Sequence, residues 1–406
     1  MKLLVLSNGH GEDVIAVRIL EQLQSLTHQL ELAALPIVGE GYAYSKLNIP
    51  IIARVQKMPS GGFIYMERDR LWEDVRGGLI QLTIEQIKLV RQWGRSGGSV
   101  LAVGDIIPLL YGWLGKTNYA FVGTAKSEYY LRNETGWLAK TPWLERRFGS
   151  VYLPWERWLT SQSRCKAVFP RDSLTAKVLQ QWSIPVYDLG NPMMDGIGQG
   201  GKESRRAGER QLSVLLLPGS RTPEAWRNWQ QIITAVSEVI NTFTEYKLHF
   251  LSAIAPALEI KPFQEQLITQ GWNLKSANNS QTVTLTKDNA NLILTQNTYQ
   301  QCLQQADIAI AMAGTATEQF AGLGKPAVIM PGNGPQFTSA FAEAQSRLLG
   351  GSVILAINPQ EVARAISSVI NNPQKLAAIA INGKRRMGEA GAARRIALCL
   401  QKTLLS

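Results

Sequence analysis

The chain has 406 residues, with 42 Lys and Arg against 31 Asp and Glu, and carries a net charge of +11. With 45% hydrophobic and 18% charged residues it is neither disordered nor fibrous, and it exceeds the ~250–300 residues at which a single core stops growing, so two domains are expected. The basic excess is spread over both halves rather than gathered in a tail, which leaves phosphate-bearing ligands, an anionic membrane and nucleic acid as partners to weigh.

The first apolar run is too short for a signal peptide, and turn residues follow it at once, so it reads as a strand over 3–7. Further strands are expected at 30–36, 100–104, 119–122, 167–169 and 186–189. Most are continuous apolar runs, as parallel strands covered on both faces should be. A Gly-rich, charged stretch over 198–211 then lacks periodicity and marks a linker between domains of 1–197 and 212–383. Beyond it the pattern restarts with strands at 212–217, 248–252, 292–294, 308–311, 327–330 and 353–356. A C-terminal helix over 384–406 is free in sequence to pack back on the first domain. The economical reading is two successive doubly wound α/β domains.

In such sheets ligands bind beyond the carboxyl ends of the strands. The first such loop, Ser-Asn-Gly-His-Gly-Glu-Asp over 7–13, has glycines for close backbone approach and leads into a helix. His10 is either an exposed functional imidazole or simply solvated, and Asp13 either a site carboxylate or a helix cap. Asp105, at the end of the 100–104 strand, is placed either as a general base or as the cap of the following helix. In the second half, Ser220 and Arg221 follow one strand, Gly314 and Thr315 a second, and Gln336 a third. Small polar loops with an Arg fork suit a diphosphate, and together they favour a nucleotide site over plain turns. None ends in a Walker-type GK[ST], which argues against an ATPase.

Cys165, Cys302 and Cys399 form no CxxC pair, and the three histidines (His10, His28, His249) are scattered, so neither disulfides nor a metal centre are expected. Residues 126–171 hold nine Lys and Arg against four Glu, together with Trp137, Trp143, Trp155 and Trp158. Aromatic rings among cations suit the headgroup layer of an anionic membrane, although ordinary core tryptophans above a solvated basic face would read the same. No apolar stretch is long enough to span a bilayer, so the expectation is a cytoplasmic protein with peripheral membrane contact.

LPGSRTPE, MAGTATEQFAGLGKPAVIMPG and GPQFTSAFAEAQ resemble the nucleotide-binding half of the lipid-A-disaccharide synthase family. More distantly, they look like the glycosyltransferase that adds N-acetylglucosamine to lipid-linked peptidoglycan precursors. NGHGEDVIA, VGDIIP and GNPMMDGI are similar to the family's N-terminal loop, its GIDAP-like segment and its GHPLVD-like segment. The resemblance runs in order over nearly the whole chain. It implies a GT-B fold, two Rossmann-like domains facing across a cleft, with the acceptor on the first and a nucleotide sugar on the second. It also implies metal-independent catalysis, with no cofactor beyond the nucleotide-sugar substrate.

By motif, Asp105 falls on the family's catalytic aspartate and Asp13 on its N-terminal loop aspartate. Ser220 and Arg221 fall on the diphosphate-contacting PGSR, and Gly314 and Thr315 on its GTA turn. The family's ribose-holding Glu is Gln319 here, with Glu318 one position earlier, and the Ser before Gly314 is Ala313. The resemblance implies an inverting transfer of a sugar from a nucleotide diphosphate, UDP in the first instance, to a lipid-like acceptor at the membrane surface. Asp105, aided by His10, would be the base. Two alternatives stand beside it: a nucleotide-sugar 2-epimerase of the same fold, and a non-catalytic nucleotide-sugar or lipid-binding protein. Nucleic acid becomes the disfavoured partner, and the sequence is silent on oligomeric state.

Overall fold

A computed structural model describes residues 1–27, 29–53, 79–198, 210–278 and 281–405. His28 and most of the expected linker lie outside them. The chain divides into two compact units, Met1–Asp195 with Gly388–Ser406, and Gly196–Met387.

The first unit is built on β1 (Lys2–Ser7), β2 (Glu31–Pro36), β3 (Ser99–Gly104) and β4 (Tyr119–Gly123), with a two-residue ribbon β5 (Arg132–Asn133) and β6 (Gly136–Trp137), then β7 (Cys165–Phe169). Its main sheet has the order β2-β1-β3-β4-β7 and is parallel throughout. Alternation along β1 divides the core. Leu3 and Val5 pack into a layer with the helices His10–Leu26 and Ala392–Thr403, whereas Leu4 and Leu6 pack into the opposite layer with Leu79–Arg95 and Ile106–Leu114. These strand side chains are fully buried, which explains their unbroken apolar runs.

One expected strand is absent. Over 186–189 only Val186 bridges to Val168, because the carbonyl of Leu189 is taken by Arg395 Nε at 2.9 Å and the chain turns away. The chain instead reaches Asp195, whose carboxylate accepts the backbone N–H groups of Gly391, Ala392 and Ala393 at 2.5, 3.1 and 2.6 Å. Those are N–H groups that a helix start leaves without internal partners, and Gly391 has no side chain to cap them. The C-terminal helix is thus capped by a residue almost two hundred positions earlier.

The second unit has β8 (Gln211–Leu217), β9 (Lys247–Ala253), β10 (Asn273–Asn278), β11 (Thr282–Lys287), β12 (Ala290–Thr295), β13 (Ile308–Ala311), β14 (Ala327–Ile329) and β15 (Val353–Leu355). The order is β10-β11-β12-β9-β8-β13-β14-β15, parallel except for β11, which runs antiparallel to both its neighbours. Strands β10 and β11 were not foreseen. The alternation Thr-Val-Thr-Leu-Thr over 282–286 carried the signal, since Val283 and Leu285 are buried while the threonines are not. Helix Glu224–Thr242 buries Trp229, Ile232, Ile233 and Val236 beneath the sheet.

Because the Asp195 clamp replaces a missing cap, Asp195→Ala should cost about 1–2 kcal/mol in urea unfolding. It should also speed amide exchange selectively within residues 392–403, and unchanged protection there would contradict the capping role.

Candidate functional site

In the first unit the chain leaves β1 toward β2 on one side and returns to β3 on the other. The loops after β1 and β3 therefore flank the topological switch point. His10 opens the helix after β1 and is exposed. Asp13 sits within the same helix, 2% exposed, and faces inward: its Oδ1 accepts from Ser7 Oγ at 2.6 Å, and Ser7 Oγ accepts from Tyr44 OH at 2.6 Å. It is no helix cap, since the cap position belongs to Gly9. Burial lifts the Asp13 carboxyl to about 6, against the Ser7 hydrogen bond.

Asp105 is half-buried and does cap the helix after β3, with Oδ1 accepting the N–H of Ile107 at 2.9 Å. Burial raises its carboxyl, opposed by that N–H, the Asn8 side chain and the Lys126 charge. The two sequence readings of Asp105 are compatible, because capping uses one oxygen.

The structure adds Glu12, which the motif analysis passed over although it stands inside the first loop. Burial raises its carboxyl, and the charges of Asp105 and Asp13 raise it further, against backbone N–H bonding and Thr124. Thr124 Oγ1, just beyond β4, donates to Glu12 Oε1 at 3.3 Å. Gly104, at φ 137°, holds a backbone conformation that an L side chain rarely adopts, and it packs beside Glu12 and Asn8. Three neighbouring strand ends thus bring together Asn8, Glu12, Asp105 and Thr124, a set suited to accepting and passing a proton. Among the described residues no group of three or more His, Cys, Asp and Glu side chains is arranged to hold a metal ion.

In the second unit β8, β13 and β14 are adjacent and parallel, so the loops carrying Ser220 and Arg221, Gly314 and Thr315, and Gln336 emerge side by side. Ser220, Arg221 and Thr315 are exposed, and Gln336 is half-buried. Glu318 and Gln319 lie deeper, on helix Thr315–Gly322, both buried, with Gln319 Oε1 accepting from Tyr299 OH at 2.6 Å. Gly314 caps that helix without a side-chain bond, leaving its first N–H groups for other partners. Glu224 accepts the N–H of Phe337 at 2.7 Å and of Gln336 at 3.2 Å, and so pins the third loop. Gly334 gives it room, since a Cβ there would meet the Glu224 carboxyl at 2.4 Å. Glu224 closes the LPGSRTPE motif, but nothing in that motif pointed to its bonds with the third loop.

The proposed membrane tryptophans belong to the first unit. Trp143, Trp155 and Trp158 are 74%, 54% and 52% exposed, on helices Trp143–Phe148 and Pro154–Thr160, and Leu144 is exposed beside them. Trp137 differs: it is half-buried, with the Arg132 guanidinium 3.6 Å over its ring. Trp158 also meets Trp113 edge-on at 5.3 Å. Lys140, Arg146 and Arg147 are exposed nearby in the chain. Among the described residues no helix is long and apolar enough to cross a membrane.

Both units are Rossmann-like, and the fold is that of the GT-B class. No protein-family model matches the chain, and no curated protein matches it in sequence. Solved structures do match in fold. A putative UDP-N-acetylglucosamine 2-epimerase from Listeria monocytogenes superposes with a TM-score of 0.58 at 13% identity, over 99% of this chain and 96% of that one. MurG from Acinetobacter baumannii gives 0.58 at 14% identity, over 99% of each chain. The UDP-GlcNAc 2-epimerase from Neisseria meningitidis, bound to UDP-GlcNAc, gives 0.55 at 15% identity, over 99% and 100%. At such identities the shared property is the fold, which does not single out lipid-A-disaccharide synthase.

A carboxyl that titrates near 6 when folded, against 3.8 otherwise, destabilises the fold once ionised, and the penalty disappears as pH falls from about 6 to about 4. Asp13→Asn should therefore be more stable than the wild type at pH 7.5, by up to about 3 kcal/mol, with the gap closing near pH 4. Thermal unfolding across that range checks it, and a pH-independent gap would refute the assignment.

Proposed function

We propose that the protein is a glycosyltransferase that moves a sugar from a nucleoside diphosphate, UDP in the first instance, to a hydroxyl of a lipid-like acceptor, without a metal ion. The observation that carries this reading is the trio of small polar loops at the ends of β8, β13 and β14, flanked by a helix N-terminus and Arg221. Donors of this kind hold a diphosphate and stabilise the charge it gains on leaving. In the first unit Asp105 takes the proton of the acceptor hydroxyl. The acceptor oxygen attacks the anomeric carbon with inversion, the bond from that carbon to the diphosphate oxygen breaks, and the electron pair leaves with the nucleotide. Burial suits Asp105 to this, because a raised carboxyl is the stronger base. Asp105→Asn should lower kcat by about 10²–10⁴-fold with little change in UDP affinity, measured as UDP release in the presence of acceptor. Unimpaired turnover would remove Asp105 from the chemistry.

A second reading, 2-epimerisation of the nucleotide sugar, is favoured by the Glu12–Asp105 pair, since removing and returning a proton calls for more than one acid–base group. It needs no acceptor and exchanges the sugar C2 hydrogen with solvent. Deuterium entering UDP-GlcNAc at C2 without any acceptor would select it over transfer.

The exposed Trp143, Leu144, Trp155 and Trp158, among Lys140, Arg146 and Arg147, support seating of the first unit on an anionic membrane. The double variant Trp143→Ser, Trp155→Ser should bind phosphatidylglycerol-containing vesicles about tenfold or more weakly in co-sedimentation. Binding of the unaltered protein should fall as salt rises.

A further inference from the structure

The loops after β8 and β13 have their carbonyl oxygens held from within by buried amide side chains. Asn228 Nδ2 donates to Pro218 O at 3.0 Å and to Met312 O at 3.4 Å. Gln345 Nε2 donates to Ala313 O at 3.2 Å and to Gly314 O at 3.1 Å. Both side chains are essentially sealed from solvent, 1% and 2% exposed, and come from different helices, Glu224–Thr242 and Ser339–Leu349. Their orientation is determined by their partners, because a carbonyl oxygen can only accept. Among the described residues Asn228 Oδ1 and Gln345 Oε1 have no hydrogen-bond partner. Each amide is thus directed by its nitrogen, at the expense of its oxygen, and a buried group left in that state calls for an explanation.

In a trans peptide the C=O of one residue and the N–H of the next point in opposite directions. Fixing the oxygens of Pro218, Met312, Ala313 and Gly314 inward therefore turns the N–H groups of Gly219, Ala313, Gly314 and Thr315 away from the two buried amides. Glycine is required where this brings backbones together. Gly219 sits at φ 99°, and a Cβ there would lie 3.3 Å from Met312 O; a Cβ at Gly332 would lie 2.8 Å from Asn228 Oδ1.

We propose that Asn228 and Gln345 are positioning residues that set these four backbone N–H groups as a rack for a diphosphate, a role that rests on the nucleotide reading given above. The rack is neutral, so it places no carboxylate beside the anion, and it is preorganised by groups that themselves never touch the ligand. A merely structural role would weaken folding without regard to ligand; a rack is felt by the phosphates and not by the nucleoside.

The test compares the wild type with Asn228→Leu and Gln345→Met, both close to the native volumes and unable to donate, by titrating UDP, inorganic pyrophosphate and uridine. The expected result is a loss of about tenfold or more in UDP and pyrophosphate affinity, with uridine affinity held within about twofold. Either variant suffices if the other fails to fold. Folded variants that bind UDP as the wild type does, or that lose UDP and uridine in equal proportion, overturn the rack alone. A wild type that binds neither UDP nor pyrophosphate overturns the diphosphate reading and the rack together.

Discussion

Each unit is organised by a parallel sheet covered on both faces. Leu3, Leu4, Val5 and Leu6 in one and Val214, Leu215 and Leu216 in the other are fully buried, and each such side chain contributes roughly 1.5–3 kcal/mol relative to exposure. The same burial makes an unpartnered polar side chain along the strands costly, and the buried strand hydroxyls of Ser7 and Ser252 are each hydrogen-bonded. The candidate site residues accordingly gather where the ladders end. At the carboxyl ends of β1, β3 and β4, and again at those of β8, β13 and β14, the chain leaves the core through a glycine or a capped helix. The buried sheet is thus the reason both groups of site residues sit in short loops on rigid supports.

The two groups of loops have opposite electrostatic character. In the first unit Glu12, Asp13 and Asp105 are carboxyls raised by burial, an environment that makes proton uptake favourable and a second negative charge unwelcome. In the second unit the buried side chains holding the β8 and β13 loops are neutral amides, and Arg221 stands at the exposed lip. Glu224 is the exception, and its carboxylate is turned onto the backbone N–H groups of Gln336 and Phe337. One unit thus gathers raised carboxyls at its strand ends, and the other gathers neutral buried amides beside an exposed arginine.

How much of this was legible in the chain differs by kind of signal. The apolar runs revealed most of the parallel strands, and Ser220, Arg221, Gly314 and Gln336 stood out because their loops follow such runs directly. The run over 186–189 looked equally apolar yet became a connection, since Arg395 takes the carbonyl that a ladder would need. Glu12 lay unread between better-known neighbours, and its significance appears only once Thr124, more than a hundred residues away, reaches it. Asn228 lies in no motif, and Gln345, though it closes GPQFTSAFAEAQ, carries no sign there of the carbonyls it meets.

The sequence by itself determined the alternation of strands and helices, the short polar loops that follow the strands and the cationic, aromatic stretch over 126–171. These are properties of local pattern and composition, written within windows of ten or twenty residues. Only the tertiary structure decided which loops stand together, which way Asp13 faces, and which buried amides direct the backbone around Gly314. It also decided that Asp195 caps the C-terminal helix. Most of these depend on hydrogen bonds between residues tens to hundreds of positions apart, and such partners are chosen by the packing of the sheets rather than by proximity along the chain.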